Sequence, residues 1–393
     1  MLLLVTPAVI TNGLWWHPDG LGLLFVSLTM LFLLLDNLKL QNFFYLAAIS
    51  AGIASGIKYI GLFFFLTIPT YLLFGYFQKK FDLKKLLVGG FFFVLVMFAT
   101  IVISNPLLLL PLERSEIIRV QTSQFMRTTS GEMLGKQPLL ENGRLPDWLV
   151  SNYGGIFFIL LLCAALLSGF FHKKNRLHAS IIATFIIPQL VTISAAALRR
   201  EHYFLPIYYP LAAALAFILP EKLQDLKFWK NKNYWMIPVI IILSVQTVFF
   251  LRDDYFLLMN MKNRERNSAS IAFYNAIKDK HINSSTAQPV TIYRDWHVYF
   301  PENSEEVDVF LDWDLASYEM LETKKPDYLL LDNAYITTYG AEGFLDIAAD
   351  AQRLAGTYQF YADAYAKDID GYHLTFENAF GSVFEREDGV IRP

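Results

Sequence analysis

The sequence predicts an α-helical polytopic membrane protein that carries a soluble α/β domain at its carboxy-terminal end. The 393-residue chain is 54% hydrophobic and only 18% charged, with a mean hydropathy of +0.36, too apolar for a soluble protein of this size. Long apolar runs end near Leu251, and from about Asn263 strand and helix patterns alternate. We therefore expect a transmembrane domain over residues 1–251 and a soluble domain over residues 252–393.

Nine apolar segments in the first part of the chain are candidate spans, because a bilayer core needs about 20 apolar residues per helix, and fewer where partners cover the ends. They cover residues 2–14, 20–35, 43–57, 60–77, 86–110, 156–171, 179–198, 203–219 and 234–251. The first has no basic residue after Met1 and no small-residue cleavage site, so it is predicted to be a span rather than a signal peptide.

The basic residues of the short loops predict the orientation, because lysine and arginine are disfavoured in translocated loops. Loops 78–85, 172–178 and 221–233 hold most of them and alternate correctly to lie in the cytoplasm. The opposite side then receives residues 15–19, the loop 111–155 and everything after Arg252. We expect an integral protein of a bacterial inner membrane whose carboxy-terminal domain lies outside the cytoplasm.

The loop 111–155 is too long for a simple connection. Residues 113–126 mix apolar and charged residues and predict a helix lying along the membrane interface. Residues 128–146 are rich in glycine, proline and polar residues. That composition fits either a mobile cover over a site or plain disorder.

The soluble domain is predicted from alternating strand and helix patterns. Helices are expected at 268–280, with Ser268 as its cap, at 315–324 and at 342–354, and strands at 290–293, 307–311, 328–331, 358–366 and 372–376. No glycine-rich phosphate loop, zinc-ligand spacing or nucleophile elbow occurs there. Acceptor docking or support is therefore the expected role of this domain.

Two simple counts narrow the classes of function. The single cysteine, Cys163, excludes an internal disulfide and a cysteine metal cluster. The net charge of -3 gives no indication of a nucleic-acid partner. Membrane lipids are the partner that the composition itself implies.

The ionisable residues of the apolar part gather on the predicted outer side. Asp19 follows His17 and Pro18 at a helix start, so it is either a helix cap or a carboxylate that orients a hydroxyl, a metal or a cation bound to phosphate. His17 could act as a ligand or a proton partner. Lys58 interrupts a small-residue stretch and either snorkels to the interface or neutralises a phosphate. Within that stretch, Gly52 and Gly56 predict a helix-packing face.

Arg199 and Arg200 lie on the predicted outer side, whereas arginine and lysine usually favour cytoplasmic loops. A functional role would explain this exception. Guanidinium groups bind phosphate oxygens through paired hydrogen bonds. The alternative is interfacial anchoring of this segment, with Glu201 as the partner of an arginine.

Three motifs follow one another along the apolar part: His17-Pro18-Asp19, Gly52-Ile-Ala-Ser-Gly-Ile-Lys58-Tyr59 and Arg200-Glu201-His202-Tyr203-Phe-Leu-Pro206. Together they resemble membrane glycosyltransferases of the GT-C fold, in particular the protein mannosyltransferase and aminoarabinose transferase group. The resemblance covers roughly residues 1–251 and implies a GT-C-like helix bundle.

The resemblance implies inverting transfer of a sugar from a polyprenyl-phosphate donor to a lipid, glycan or protein acceptor. Asp19 and His17 would be catalytic, and Lys58, Arg199 and Arg200 would bind the donor phosphate. Substrate-binding roles would fall to Tyr59, Glu201, His202 and Tyr203. No cofactor or metal ligand is assigned, and the use of a divalent metal stays open.

The chain departs from this group at its first external turn. The similar enzymes carry an essential acidic residue in a long first external loop, whereas only residues 15–20 stand at this position here. We expect an amino-terminal part to be missing, so that Asp19 is an accessory acid and the chain alone transfers sugar poorly. The alternatives are a non-catalytic membrane assembly subunit and a transporter, although no internal repeat favours transport.

Overall fold

The computed structural model describes residues 2–14, 18–131, 147–197, 200–219, 234, 236–278, 289–301, 307–311 and 315–387. The chain divides into two compact units. The first, here called the helical unit, comprises Met1–Ser130 and Gln137–Phe256, and the second, the sheet unit, comprises Gly131–Lys136 and Leu257–Pro393.

Most helices of the helical unit are apolar. Its α-helices are α1 Pro7–Leu14, α2 Asp19–Asp36, α3 Asn42–Lys58, α4 Thr67–Phe77, α5 Leu83–Ser104, α6 Pro111–Ser130, α7 Asp147–Tyr153, α8 Ile156–Phe171, α9 Arg176–Ala195, α10 Leu205–Ala213 and α11 Met236–Lys262. Short 3-10 helices cover Leu2–Val5, Ile60–Phe65, Pro106–Leu109, Glu201–Phe204 and Ala214–Phe217.

Within the described part of the chain, five helical stretches are long and apolar enough to cross a membrane, which identifies a membrane protein by length and composition. They are Asp19–Asp36, Ile60–Phe77, Leu83–Ser104, Arg176–Ala195 and Met236–Lys262. The expectation of nine spans is not confirmed.

Interrupted helices explain part of the difference between nine and five. The predicted span 2–14 is divided at Thr6, between a 3-10 helix and the eight-residue helix α1 that begins at Pro7. The predicted span 203–219 consists of α10, which contains Pro210, between two 3-10 helices. Proline lacks the N–H that a continuous helix needs, and the residue before it disfavours helical backbone.

The packing of α3 against α5 fixes one wall of the helical unit. A Cβ atom added to Gly52 would lie 2.6 Å from the Met97 carbonyl oxygen, and one added to Gly56 would lie 2.6 Å from Asn105 Nδ2. Only glycine permits such an approach of backbones. The predicted packing face of α3 is therefore confirmed.

The turn between α2 and α3 is held by the buried carboxylate of Asp36. Its oxygens accept hydrogen bonds from the backbone N–H groups of Lys39, Leu40 and Gln41 at 2.8–3.0 Å and from the Tyr71 hydroxyl at 2.6 Å. The tight turn makes α2 and α3 antiparallel neighbours. The start of α2 and the end of α3 consequently lie at the same end of the hairpin.

The sheet unit contains a mixed five-stranded sheet with the order β2-β1-β3-β5-β4. The strands are β1 Val290–Arg294, β2 Val307–Phe310, β3 Tyr328–Asp332, β4 Tyr372–Glu377 and β5 Gly381–Arg386, with β1 parallel to β2 and β3, and β5 antiparallel to β3 and β4. The helices are α12 Arg264–Asn267, α13 Ala269–Ile277, α14 Tyr318–Lys324, α15 Asn333–Tyr339, α16 Phe344–Ile347 and α17 Ala351–Ala366. A small α/β sheet domain was the expectation, and this unit confirms it.

Alternate residues of β3 enter different cores, as the period of a strand requires. Leu329 and Leu331 pack with Phe360 of α17, whereas Leu330 packs with Phe273 of α13 on the other face. The sheet is thus covered on both sides, which explains the continuous apolar run in this strand.

The predicted strand 358–366 is wrong, because these residues lie in helix α17. Aromatic residues favour strands, and that preference misled the prediction. The buried positions Leu354, Thr357, Tyr361 and Ala364 recur at helical spacing instead. The predicted helix 342–354 is likewise replaced by α16 and the first turn of α17.

Ser268 caps α13, as expected, by accepting a hydrogen bond from the Ile271 N–H. The sequence interpretation had missed three elements of this unit, α12, α15 and β5.

Candidate functional site

Three helix ends of the helical unit bring ionisable side chains together. Asp19 is the first residue of α2, Lys58 is the last residue of α3, and His202 lies in the 3-10 helix before α10. Lys58 Nζ is 2.8 Å from Asp19 Oδ1, and His202 Nε2 is 3.8 Å from Asp19 Oδ2. We call Asp19, Lys58, His202 and Tyr203 the acidic–basic cluster.

Tyr203 adds an aromatic wall to the acidic–basic cluster. The Lys58 ammonium nitrogen lies 5.4 Å from the centroid of the Tyr203 ring, within the range of a cation–π contact. The His202 ring stands perpendicular to the Tyr203 ring with centroids 4.7 Å apart. Lys58 is therefore positioned by both a carboxylate and a ring.

The burial of these side chains is graded. The Asp19 side chain is 2% exposed, that of His202 is 17% exposed and that of Lys58 is 33% exposed. Attraction between opposite charges strengthens where water is excluded, so the buried Asp19 holds Lys58 while part of the lysine still faces outward. Lys58 is thus the most exposed of these three side chains.

The surroundings of Asp19 differ from those of a helix cap. Asp19 does not cap α2, because the N-cap position is occupied by Pro18 and no side-chain cap bond forms. Its side chain is also buried. The Asp19 carboxylate instead pairs with the Lys58 ammonium group at 2.8 Å.

The structure describes only some of the other predicted site residues. Arg200 stands in extended backbone just before the 3-10 helix, and Tyr59 follows Lys58 with its side chain exposed. Glu201 begins the 3-10 helix, although its side chain is outside the described part. His17 and Arg199 lie outside the described residues altogether.

A cavity of about 320 Å³ lies near the start of α2, where Asp19 stands. It lies between α1, α2 and α10, and one of its lining residues, Gly20, directly follows Asp19. The sequence interpretation missed the cavity and missed Asn12, a buried amide residue that lines it. An asparagine inside an apolar span was the signal that could have found it.

Contacts around α10 hold this part of the unit together. The Tyr208 hydroxyl lies 3.1 Å from the Thr6 hydroxyl, which ties α10 to the residue preceding α1. Tyr208 also packs edge-on against Tyr153 of α7. The cluster and the cavity thus rest on several short elements rather than on one long helix.

Among the residues that the structure describes, no group of three or more His, Cys, Asp or Glu side chains is arranged to hold a metal ion.

A second buried carboxylate with unusual chemistry lies in the sheet unit. Asp295 follows β1 and accepts hydrogen bonds from the Tyr361 hydroxyl at 2.6 Å, from the Tyr293 hydroxyl at 3.2 Å and from the Asp332 N–H at 2.8 Å. Burial raises the pKa of Asp295 to about 7, despite the tyrosine donors that oppose the shift. The hydrogen-bond partners of Asp295 belong to two tyrosines and an aspartate, so its role resembles that of a structural carboxyl group.

Comparison of the chain with protein-family models, with curated proteins and with solved structures finds no match.

Proposed function

We propose that this protein binds a polyprenyl-phosphate-linked sugar at the acidic–basic cluster and transfers the sugar to an acceptor. The observation that supports this most is the convergence of Asp19, Lys58 and His202 from three separate helix ends of an apolar bundle. A structural ion pair needs no third titratable group. A phosphate site, by contrast, needs an oriented cation and a neighbouring proton acceptor.

The charges of this region suit a phosphate leaving group. Asp19 and Glu201 balance two positive charges, and the sequence supplies three, from Lys58, Arg199 and Arg200. The surplus is positive. The donor diester carries one negative charge, and the departing polyprenyl phosphate gains a second as the bond to the anomeric carbon breaks. A surplus of cations stabilises the second charge more than the first, which favours the transition state.

In the proposed step an acceptor oxygen attacks the anomeric carbon and forms the new glycosidic bond. The bond between that carbon and the phosphate oxygen breaks, and the oxygen keeps the electron pair. Among the described residues, His202 is the best placed to take the proton of the acceptor, because the buried Asp19 carboxylate nearby would stabilise the imidazolium. Asp19 therefore acts through Lys58 and His202 as a positioning residue.

Binding of the donor tests this proposal in the full chain reconstituted in lipid nanodiscs. Arg200→Ala should weaken binding of a polyprenyl-phosphate sugar about tenfold or more, and Arg200→Lys should recover part of it, because a single ammonium cannot replace the paired donors of a guanidinium. Replacing the ion pair together, Asp19→Asn with Lys58→Met, should also weaken binding while leaving no buried charge uncompensated.

Lys39→Met is the matched control, because Lys39 is exposed in the turn at the opposite end of the same helical hairpin. It should bind the donor as the wild type does. Equal binding by the wild type, Arg200→Ala and the double variant would leave anchoring of a non-catalytic assembly subunit as the better explanation.

We further propose that the cluster faces the outer side of a bacterial inner membrane, together with the sheet unit. In a Cys163→Ala background, cysteines at Ser130 and Ser304 should react with an impermeant thiol reagent in intact cells, and a cysteine at Asn175 should not. Labelling of position 175 from outside would reverse the orientation.

A further inference from the structure

The cavity near the start of α2 contains a buried amide whose hydrogen bonds are unmet. Asn12 lines the cavity, is 7% exposed, and neither its Oδ1 nor its Nδ2 has a hydrogen-bond partner among the described residues. Buried polar groups are almost always paired, because an unpaired one has lost its water without compensation. A donor and an acceptor together on one amide match a ligand that offers the complementary pair.

Glycines keep the cavity open. Gly13 of α1 and Gly20 of α2 both line it, and a Cβ atom added to either would meet no atom within 4 Å. Alanine would favour both helices more than glycine does. The space that these glycines leave is therefore not required by packing of the chain against itself.

The remaining walls define what would fit. Val9, Leu23, Leu24 and Leu205 are apolar, while Ser27 and Tyr209 contribute hydroxyl groups. A ligand rich in hydroxyls would lose hydrogen bonds against the four apolar residues. A secondary amide that carries a small alkyl group satisfies both the Asn12 amide and the apolar wall.

We propose that this cavity receives the N-acetyl group of the transferred sugar, so that the donor is a polyprenyl-phosphate N-acetylhexosamine. This inference rests on the proposed function and adds the identity of the sugar substituent. The N–H of the acetamido group donates to Asn12 Oδ1, and its carbonyl oxygen accepts from Asn12 Nδ2. Its methyl group packs against the leucines. Gly20, which lines the cavity, directly follows Asp19, the partner of the Lys58 ammonium group that would hold the phosphate end of the donor.

Two donors that differ only in this substituent test the inference. The full chain in nanodiscs should bind a polyprenyl-phosphate N-acetylglucosamine about tenfold more tightly than the matching polyprenyl-phosphate glucose, a discrimination typical of a buried polar pair. Asn12→Leu should lower the affinity for the acetylated donor to that for the glucose donor. Gly13→Leu, which places a side chain in open space, should do the same by blocking the cavity.

Gln189→Leu is the matched control, because Gln189 is a buried amide of α9 with an unmet Nε2 that does not line this cavity. It should keep the tenfold preference. In the absence of donor, Asn12→Leu should melt no lower than the wild type, since leucine removes the unmet polar atoms; this separates lost binding from misfolding.

Each outcome is decisive. Equal affinity of the wild type for both donors would overturn the inference and leave the proposed function standing. A preference that survives Asn12→Leu would place the acetamido group elsewhere and also overturn it. Binding of neither donor would overturn the proposed function, and the inference with it.

Discussion

The two ends of the helical hairpin α2–α3 each bury an aspartate, and they use it differently. Asp36 is 1% exposed and receives four neutral donors, three of them backbone N–H groups of the turn that it closes. Asp19 is 2% exposed and faces side chains of Lys58 and His202 from other helix ends.

Equal burial therefore does not mean equal role. A carboxylate saturated by local backbone donors is committed to one backbone conformation and has little capacity for another partner. A carboxylate that faces basic side chains can keep its charge while those side chains engage a second anion. The kind of partner, rather than the degree of burial, separates the structural end of the hairpin from the candidate site.

The largest effect is expected at the structural end. Asp36→Ala leaves three backbone N–H groups and a tyrosine hydroxyl without their acceptor, and should lower the free energy of unfolding by about 3–5 kcal/mol. Denaturant unfolding of the full chain in detergent measures it. A loss below about 1 kcal/mol would show that water replaces the carboxylate and that the contrast between the two ends is overstated.

The comparison of buried carboxyl groups also applies to Asp295 of the sheet unit, whose contribution to stability depends on pH. Because the folded-state pKa of Asp295, about 7, lies above its ordinary value of 3.8, the protonated group stabilises the fold at low pH, and this contribution is lost as the pH rises through 7. The loss is roughly 2–4 kcal/mol. Asp295→Asn, whose side chain stays neutral at every pH, should not show it.

Hydrogen exchange of residues 290–294 in the full chain at pH 5 and pH 8, corrected for intrinsic rates, checks this difference. The wild type should lose protection at pH 8 relative to the variant. The same pH dependence in both proteins would assign the change to other groups.

The ion pair at the candidate site should be weaker than the network around Asp36. In a double-mutant cycle of Asp19→Asn and Lys58→Met, we expect a coupling energy of about 1–3 kcal/mol, with the single variant Lys58→Met less stable than the double variant. Thermal or denaturant unfolding provides the four free energies. A coupling near zero would mean that solvent already screens the pair.

The smallest effect concerns an aspartate that does cap a helix. Asp82 precedes α5 and accepts a hydrogen bond from the Lys85 N–H at 2.8 Å. Asp82→Ala should lower the free energy of unfolding by about 1 kcal/mol and leave donor binding unchanged. Impaired donor binding in this variant would show that binding assays report global stability, which would weaken the distinction between capping and site aspartates.

Site residues could be predicted from the sequence where an ionisable side chain interrupts an apolar segment. Lys58, Asp19, His202 and Tyr203 were all predicted on one side of the membrane, and the fold brings them together. Asp36 was overlooked, because its role depends on a turn with left-handed backbone at Leu38 and Leu40.

Strands that alternate with helices could be predicted in the sheet unit, since β1, β2, β3 and β4 each carry an apolar or β-branched run. Helix α17 could not, because its aromatic residues favour strands locally and only packing on the sheet reveals their helical spacing. The broken spans near Pro7 and Pro210 show a further limit, since hydropathy records composition and not continuity of hydrogen bonding.

The contact of Gly52 with α5 influences the position of Lys58 at the far end of the same helix. Gly52 lies six residues before Lys58, about 9 Å along the helix axis, and touches the backbone of α5. A methyl group there would displace the entire helix end, so the ammonium nitrogen would leave the reach of Asp19 although no residue of the cluster had changed. The distance between Lys58 and Asp19 therefore depends on the close packing of the α3 and α5 backbones, a contact that involves neither charge nor hydrogen bonding.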